Sequence, residues 1–303
     1  MVEVGGVQVT VDREATMHAD LDLLLIAVFC TADDLLPEKP GNARRRVTDA
    51  EVVTLCVAQA VMGMPSDRRF LAVARKRLSH LFPELPQQPG FHKRRRRLAE
   101  TIDWLCGVFA CESPGFYDNL VLLDSTPVEC GRSLETARRS ELADACGYGY
   151  CRSHSRFFWG MRLHGVFAPD GTPRALTLQP ADRPEREVAL ELLPRALRGG
   201  EAVVCDKGYA GSEFEAAVGE LGALVLRPAR KDEPDNGLHL SSIRQRIESV
   251  FQSLKDILTL ERHGARTLPT VGPYRVVVQR VFGFAGGHAS VPSAPWRAPG
   301  DPV

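Results

Sequence analysis

Apolar residues recur at three- and four-residue intervals through the first part of the chain. Over 19–30 and 48–62 this spacing predicts amphipathic helices, because such positions share one helical face. Thr48, with Glu51 three residues on, has the form of a capping box and sets the start of the second helix. Two more helices are expected near 67–82 and 91–111, separated by the proline-rich stretch 83–90. Near residue 116 the period changes. Asn119 to Asp124 is a short apolar run closed by a carboxylate, as a buried strand would be. Phe158 to Ala168 alternates, Pro169-Asp170-Gly171-Thr172 marks a turn, and Arg174 to Gln179 alternates again, which predicts a hairpin. A helix over 184–198 leads to a second apolar run closed by a carboxylate, Ala202 to Asp206. A helix near 211–220, a strand near 223–227 and helices near 239–258 and 270–284 follow.

This pattern divides the chain into an all-α N-terminal domain (1–115), an α/β domain (116–288) and a proline-rich, disordered tail (289–303). The second domain has the element order of a ribonuclease H-like fold: a mixed five-stranded sheet flanked by helices, with the fourth strand beside the first. Asp124 and Asp206 then emerge together at the carboxyl edge of neighbouring strands, where α/β sites form.

The 303 residues carry zero formal net charge, so the distribution of charge matters more than its sum. Lys93, Arg94, Arg95, Arg96 and Arg97 form a dense block, and Arg44 to Arg46, Arg68-Arg69 and Arg75 to Arg77 add to it in the same half. Four such clusters are the electrostatic footprint of phosphate binding, and the helices at 48–62 and 67–82 have the form of a helix-turn-helix. The longest apolar run, Leu23 to Cys30, is far short of the roughly 20 residues needed to span a bilayer. No membrane association is expected. Cysteines scattered in apolar runs (Cys30, Cys56, Cys106, Cys205) suit reduced thiols in a cytoplasmic, nucleoid-associated protein. Cys146, Cys151 and His154 lack a fourth ligand and the paired spacing of a zinc site.

Over 241–255 a helical period brings Ser241, Arg244, Glu248 and Lys255 within roughly 60° of one another, beside an apolar stripe through Ile243, Ile247, Val250, Phe251 and Leu254. The intervals Arg244–Glu248–Lys255 resemble the Tyr-Arg-Glu-Lys signature of DDE-type insertion-sequence transposases, with Ser241 where that signature has Tyr. Leu123-Asp124-Ser125-Thr126 resembles the first-Asp motif of these enzymes, and Cys205-Asp206-Lys207-Gly208-Tyr209 the second. Phe158-Trp159-Gly160-Met161-Arg162-Leu163-His164 resembles the segment between them, with Arg162 for the usual Lys. The resemblance covers about 117–285. It implies catalytic, metal-binding carboxylates at Asp124, Asp206 and Glu248 for two Mg²⁺ ions, with Mn²⁺ as a substitute. It also implies phosphate contacts from Arg244 and Lys255, and a homodimer acting on paired DNA ends. The activity implied is cleavage at insertion-sequence ends and strand transfer into target DNA. Two other readings share these residues: a ribonuclease H-like nuclease without strand transfer, and a catalytically inactive DNA-binding derivative. A haloacid-dehalogenase-like phosphohydrolase is disfavoured, because Thr126 stands where its second Asp would be.

Overall fold

A computed structural model describes residues 2–4, 7–9, 13–37, 46–131, 133–151, 155–234, 240–256 and 260. Contacts divide it into two units, Met1–Leu98 and Ala99–Val303. The expected helix at 270–284 and the tail lie outside the described residues.

The first unit opens with two short strands, β1 (Val2–Val4) and β2 (Val7–Val9), paired antiparallel. The rest of the unit is helical, as the pattern predicts. Helices α1 (Arg13–Leu35), α2 (Asp49–Val61), α3 (Asp67–Arg77) and α4 (Gln88–Arg97) follow. The capping box is formed: Glu51 N–H donates to Thr48 Oγ1 at 3.0 Å and Thr48 N–H to Glu51 Oε2 at 2.5 Å. Helix α2 is the centre of this unit, buried almost all round from Ala50 to Gln59. The helix expected over 91–111 breaks at Leu98. Its second part, α5 (Ala99–Cys111), belongs by contacts to the second unit, so the division comes earlier than residue 116.

The second unit is built on a six-stranded mixed sheet. Its strands are β3 (Leu120–Gly131), β4 (Gly147–Cys151), β5 (Arg156–Phe167), β6 (Pro173–Pro180), β7 (Ala202–Val204) and β8 (Leu224–Leu226). Helix α6 (Leu134–Arg139) lies in the connection from β3 to β4, and α7 (Glu185–Ala196), α8 (Ser212–Glu220) and α9 (Ser241–Asp256) complete the unit. Strand β3 is central, antiparallel to β5 and parallel to β7, which pairs parallel with β8. Outside β5, β6 pairs its second half and β4 its first. The path β6-β5-β3-β7-β8 is the ribonuclease H-like order, and β4 is a sixth strand that the pattern does not predict.

One face of the sheet carries the main core: Val121, Leu123, Val166 and Val203 packed with Leu192 and Leu193 of α7 and Phe214 and Val218 of α8. The other face receives α9, where Phe251 meets Phe167 of β5 edge-on at 5.6 Å between ring centroids.

The amino ends of the parallel strands are pinned by a buried ion pair. Arg174 Nη1 donates to Glu201 Oε1 at 2.9 Å, with both side chains at 1% exposure or less. Glu201 also accepts from the backbone N–H of Arg198, and Arg174 Nη2 donates to the carbonyl of Asp118. Beside it, Ala202 N–H donates to Asn119 O at 2.8 Å. This junction fixes how far β7 slides along β3.

Candidate active site

Register decides the site. Leu122 pairs with Val204, so two residues further along each chain Asp124 lies level with Asp206. Strand β7 stops at Val204 while β3 runs on to Gly131, so Asp124 sits within its strand rather than at its end. Because side chains alternate, Asp124 shares its face with Leu122, and across to β5 with Gly165 and Phe167. That is the face covered by α9. Gly165, opposite Asp124, leaves its side-chain space to the Phe167 ring, which a Cβ there would meet at 2.2 Å.

A small cleft is lined by Leu122, Leu123, Asp124, Val204, Cys205, Asp206 and Ile247. Glu248 follows Ile247 on α9 and is exposed. The expected apolar stripe is present, with Ile247, Val250 and Phe251 buried. Lys255 is half-buried in the last turn of α9, and Arg244 lies in its first turn. The structure thus brings Asp124 and Asp206 to one cleft and the Glu248-bearing helix to its wall. Among the described residues no three His, Cys, Asp or Glu side chains converge closely enough to hold a metal. Two adjacent carboxylates are hard, anionic oxygen donors and fit a divalent cation of the Mg²⁺ type.

Each aspartate is oriented by a neighbouring amide. Ser125 N–H donates to Asp124 Oδ1 at 2.8 Å, and Gly208 N–H to Asp206 Oδ1 at 2.7 Å. After Asp206 the chain makes one 3-10 turn, Lys207–Tyr209, anchored by the fully buried Tyr209 ring. A Cβ at Gly208 would stand 2.8 Å from Asp206 Oδ1. Gly208→Ala is therefore expected to displace that carboxylate and to lower DNA cleavage at least ~10-fold, about 1.4 kcal/mol of barrier, without lowering the melting temperature. Cleavage kinetics and a melting curve check this together.

On the opposite face of β3, Ser125 donates to Glu185 Oε1 at 3.0 Å, and Arg162 donates to the same oxygen and to the carbonyl of Tyr150. Arg162, aligned by motif with a Lys, is thus a brace between β5 and α7. His164 is fully buried, and its ring nitrogens have no hydrogen-bond partner among the described residues. Burial, then the charges of Arg162 and Arg183, push its pKa down to about 4, so the ring is neutral near pH 7. Burial above all, and Asp206 next, push the Cys205 thiol up to about 12, so it carries no nucleophilic thiolate.

Residues 117–271 match the family model described as "Transposase DDE domain". The chain belongs to this family. Membership makes it a DDE transposase, an enzyme of nuclease and transposition chemistry, in a family that generally uses divalent metals. A solved structure, "Cryo-EM structure of piggyBac transposase synaptic complex with hairpin DNA (SNHP)", overlaps with 91% of this chain and 77% of that one, at 9% identity and a TM-score of 0.42. No curated protein matches the chain.

In the first unit the basic block is not one phosphate-facing surface. Lys93, Arg96 and Arg97 are exposed. Arg94 turns inward to Asp49 at 2.5 Å and to the carbonyl of Val47. Arg95 is buried, bonded to Asp67 at 2.7 Å and to Gln59 at 3.1 Å. Both guanidiniums are engaged in holding α4 to its neighbours. Helix α3 carries the larger exposed cationic face, with Arg68, Arg69, Arg75, Lys76 and Arg77 opposite the buried Phe70, Leu71 and Ala74. Cys30 is exposed rather than buried. His154 of the Cys146–Cys151–His154 group lies outside the described residues.

Proposed function

We propose that this DDE transposase cleaves DNA at the ends of an insertion sequence and joins the freed 3′-hydroxyls to target DNA in the same site. The observation that carries this reading is the level placement of Asp124 and Asp206 at one cleft, with Ile247 of α9 in its wall and Glu248 the next residue on that helix. Asp124, Asp206 and Glu248 would hold the divalent metal. Bound Mg²⁺, or Mn²⁺ in its place, supplies charge neutralisation to the attacking and leaving oxygens of an in-line displacement. Arg244 and Lys255, on the same helix as Glu248, bind the phosphates flanking the scissile bond, where cations offset developing charge. The attacking group is water in the cleavage step and the freed DNA 3′-hydroxyl in the joining step. A homodimer on paired ends would process both ends together, in the cytoplasm where the DNA lies.

The test separates joining from cutting. Duplexes bearing pre-cut element ends, incubated with supercoiled plasmid and Mg²⁺, should become covalently linked to it. Cutting without joining would instead favour a plain ribonuclease H-like nuclease.

Exposed Lys93, Arg96 and Arg97, together with the face of α3, are the proposed DNA contacts of the first unit. Each phosphate contact removed should lower the dependence of log affinity on log salt by about 0.9. Combining Arg68→Ala, Arg69→Ala and Arg75→Ala should therefore flatten the slope and weaken binding, while Arg95→Ala should mainly destabilise the fold. Titrations at several salt concentrations, with melting curves, distinguish the two.

A further inference from the structure

Asp206 stands just beyond the end of β7, and nothing in the sheet ladder holds the residues that follow it. Its carboxylate is oriented by the amide of Gly208, so its position depends on the shape of the turn 206–210. That turn is clamped from outside by a residue distant in sequence. Arg230 Nη2 donates to the carbonyl of Ala210 at 3.1 Å, and its Nε to the carbonyl of Lys207 at 3.3 Å. The two carbonyls lie at either end of the turn, so one planar guanidinium spans it. A lysine, with a single compact ammonium, cannot present the same fork.

Arg230 is itself held. Glu233 Oε2 accepts its backbone N–H at 2.9 Å. Both oxygens of Glu233 also grip Arg227, at 2.5 and 3.0 Å, and Arg227 Nε reaches Glu215 of α8 at 2.7 Å. The Arg227 guanidinium, and next the Arg230 backbone amide, hold the Glu233 carboxyl down near about 2, so this brace stays charged across neutral pH. The loop after β8 is thereby tied to α8 and presents Arg230 to the turn. Arg186 of α7 donates to Ala210 O at 3.1 Å and closes the remaining side.

We propose that Arg230 is a positioning residue that fixes the Asp206 carboxylate by clamping the turn behind it. The residue does not touch the reacting atoms; it acts through the Lys207 and Ala210 carbonyls and the Gly208 amide. This rests on the reading of Asp206 as a metal ligand, and the two are tested separately. Outer-shell partners of metal ligands typically set metal affinity by about 10–100-fold.

The experiment uses the full chain as wild type, Arg230→Ala and Arg230→Lys. In metal-free protein, hydrogen exchange at the Gly208, Tyr209 and Ala210 amides should accelerate at least ~10-fold in Arg230→Ala, with Arg230→Lys between and the melting temperature unchanged. Mn²⁺ binding followed by its spin resonance should weaken by about 10–100-fold in the same order. Unchanged exchange at these amides overturns the proposal, and so does faster exchange with unchanged Mn²⁺ affinity. If the wild type binds no Mn²⁺, the metal assignment of Asp206 fails, and the exchange result alone decides whether Arg230 holds the turn.

Discussion

Asp124→Asn is expected to abolish DNA cleavage while leaving the fold and DNA binding intact. The substitution is nearly isosteric, so the bond from the Ser125 amide to the side-chain oxygen can persist. What is lost is the negative charge at the centre of β3, in the cleft shared with Asp206. Loss of one preorganised electrostatic group at a reaction centre costs about 10²–10³ in rate. With Asp124 as the proposed metal ligand on the central strand, the loss should reach on the order of 10³-fold or more by the same logic. Asp206→Asn should behave likewise. Cleavage kinetics beside a DNA-binding titration measure both effects. Melting temperature should not fall, because removing a half-buried charge beside a second carboxylate relieves repulsion.

The second large effect concerns stability. Glu201→Ala leaves the Arg174 guanidinium buried without its partner, and breaking a buried pair from one side costs about 3–5 kcal/mol. Replacing both, Arg174→Met with Glu201→Leu, should recover much of that, because the uncompensated charge disappears. Burial on its own would raise the Glu201 pKa. The Arg198 amide, then the Arg174 charge, outweigh it and hold the carboxyl below its ordinary value. With a folded pKa below the unfolded value of about 4.3, its contribution is complete above that pH and is lost as pH falls through the folded value. Denaturant melts should show a wild-type stability loss on that acid side that Glu201→Gln lacks. Because this pair pins β3 against β7, Glu201→Ala should also lower cleavage, by disturbing the register that sets Asp124 level with Asp206.

The parallel strands were legible because strands buried on both faces read as apolar runs, as Val121–Leu123 and Val203–Cys205 do. Glu248 was singled out by the resemblance of Arg244–Glu248–Lys255 to the transposase signature; the helical period alone gives a polar row beside an apolar stripe. Strand β4 was not legible. Its inward positions are Gly147, Gly149 and Cys151, and its exposed ones are Tyr148 and Tyr150, which inverts the usual hydrophobic alternation. The reason is close approach: a Cβ at Gly147 would come within 1.9 Å of Asp182, and one at Gly149 within 2.8 Å of Ala181. The basic block misleads for a different reason. A helix spreads five consecutive cations around its axis, and only the fold reveals that Asp49 and Asp67 wait for Arg94 and Arg95. Arg230 could not be ranked above other loop cations, because its partners lie about 20 residues earlier and meet it only through the β7–β8 pairing.

The account's central claim is that three carboxylates, Asp124, Asp206 and Glu248, act as one metal-dependent cleavage site. Glu248 is its most exposed member, so it gives the most direct test. A supercoiled plasmid carrying the flanking element ends is incubated with Mg²⁺ and either wild type or Glu248→Gln. The prediction is that wild type cuts at the ends, and that the variant binds them equally well and leaves them intact. Equal cutting by both proteins would contradict the claim and remove Glu248 from the site.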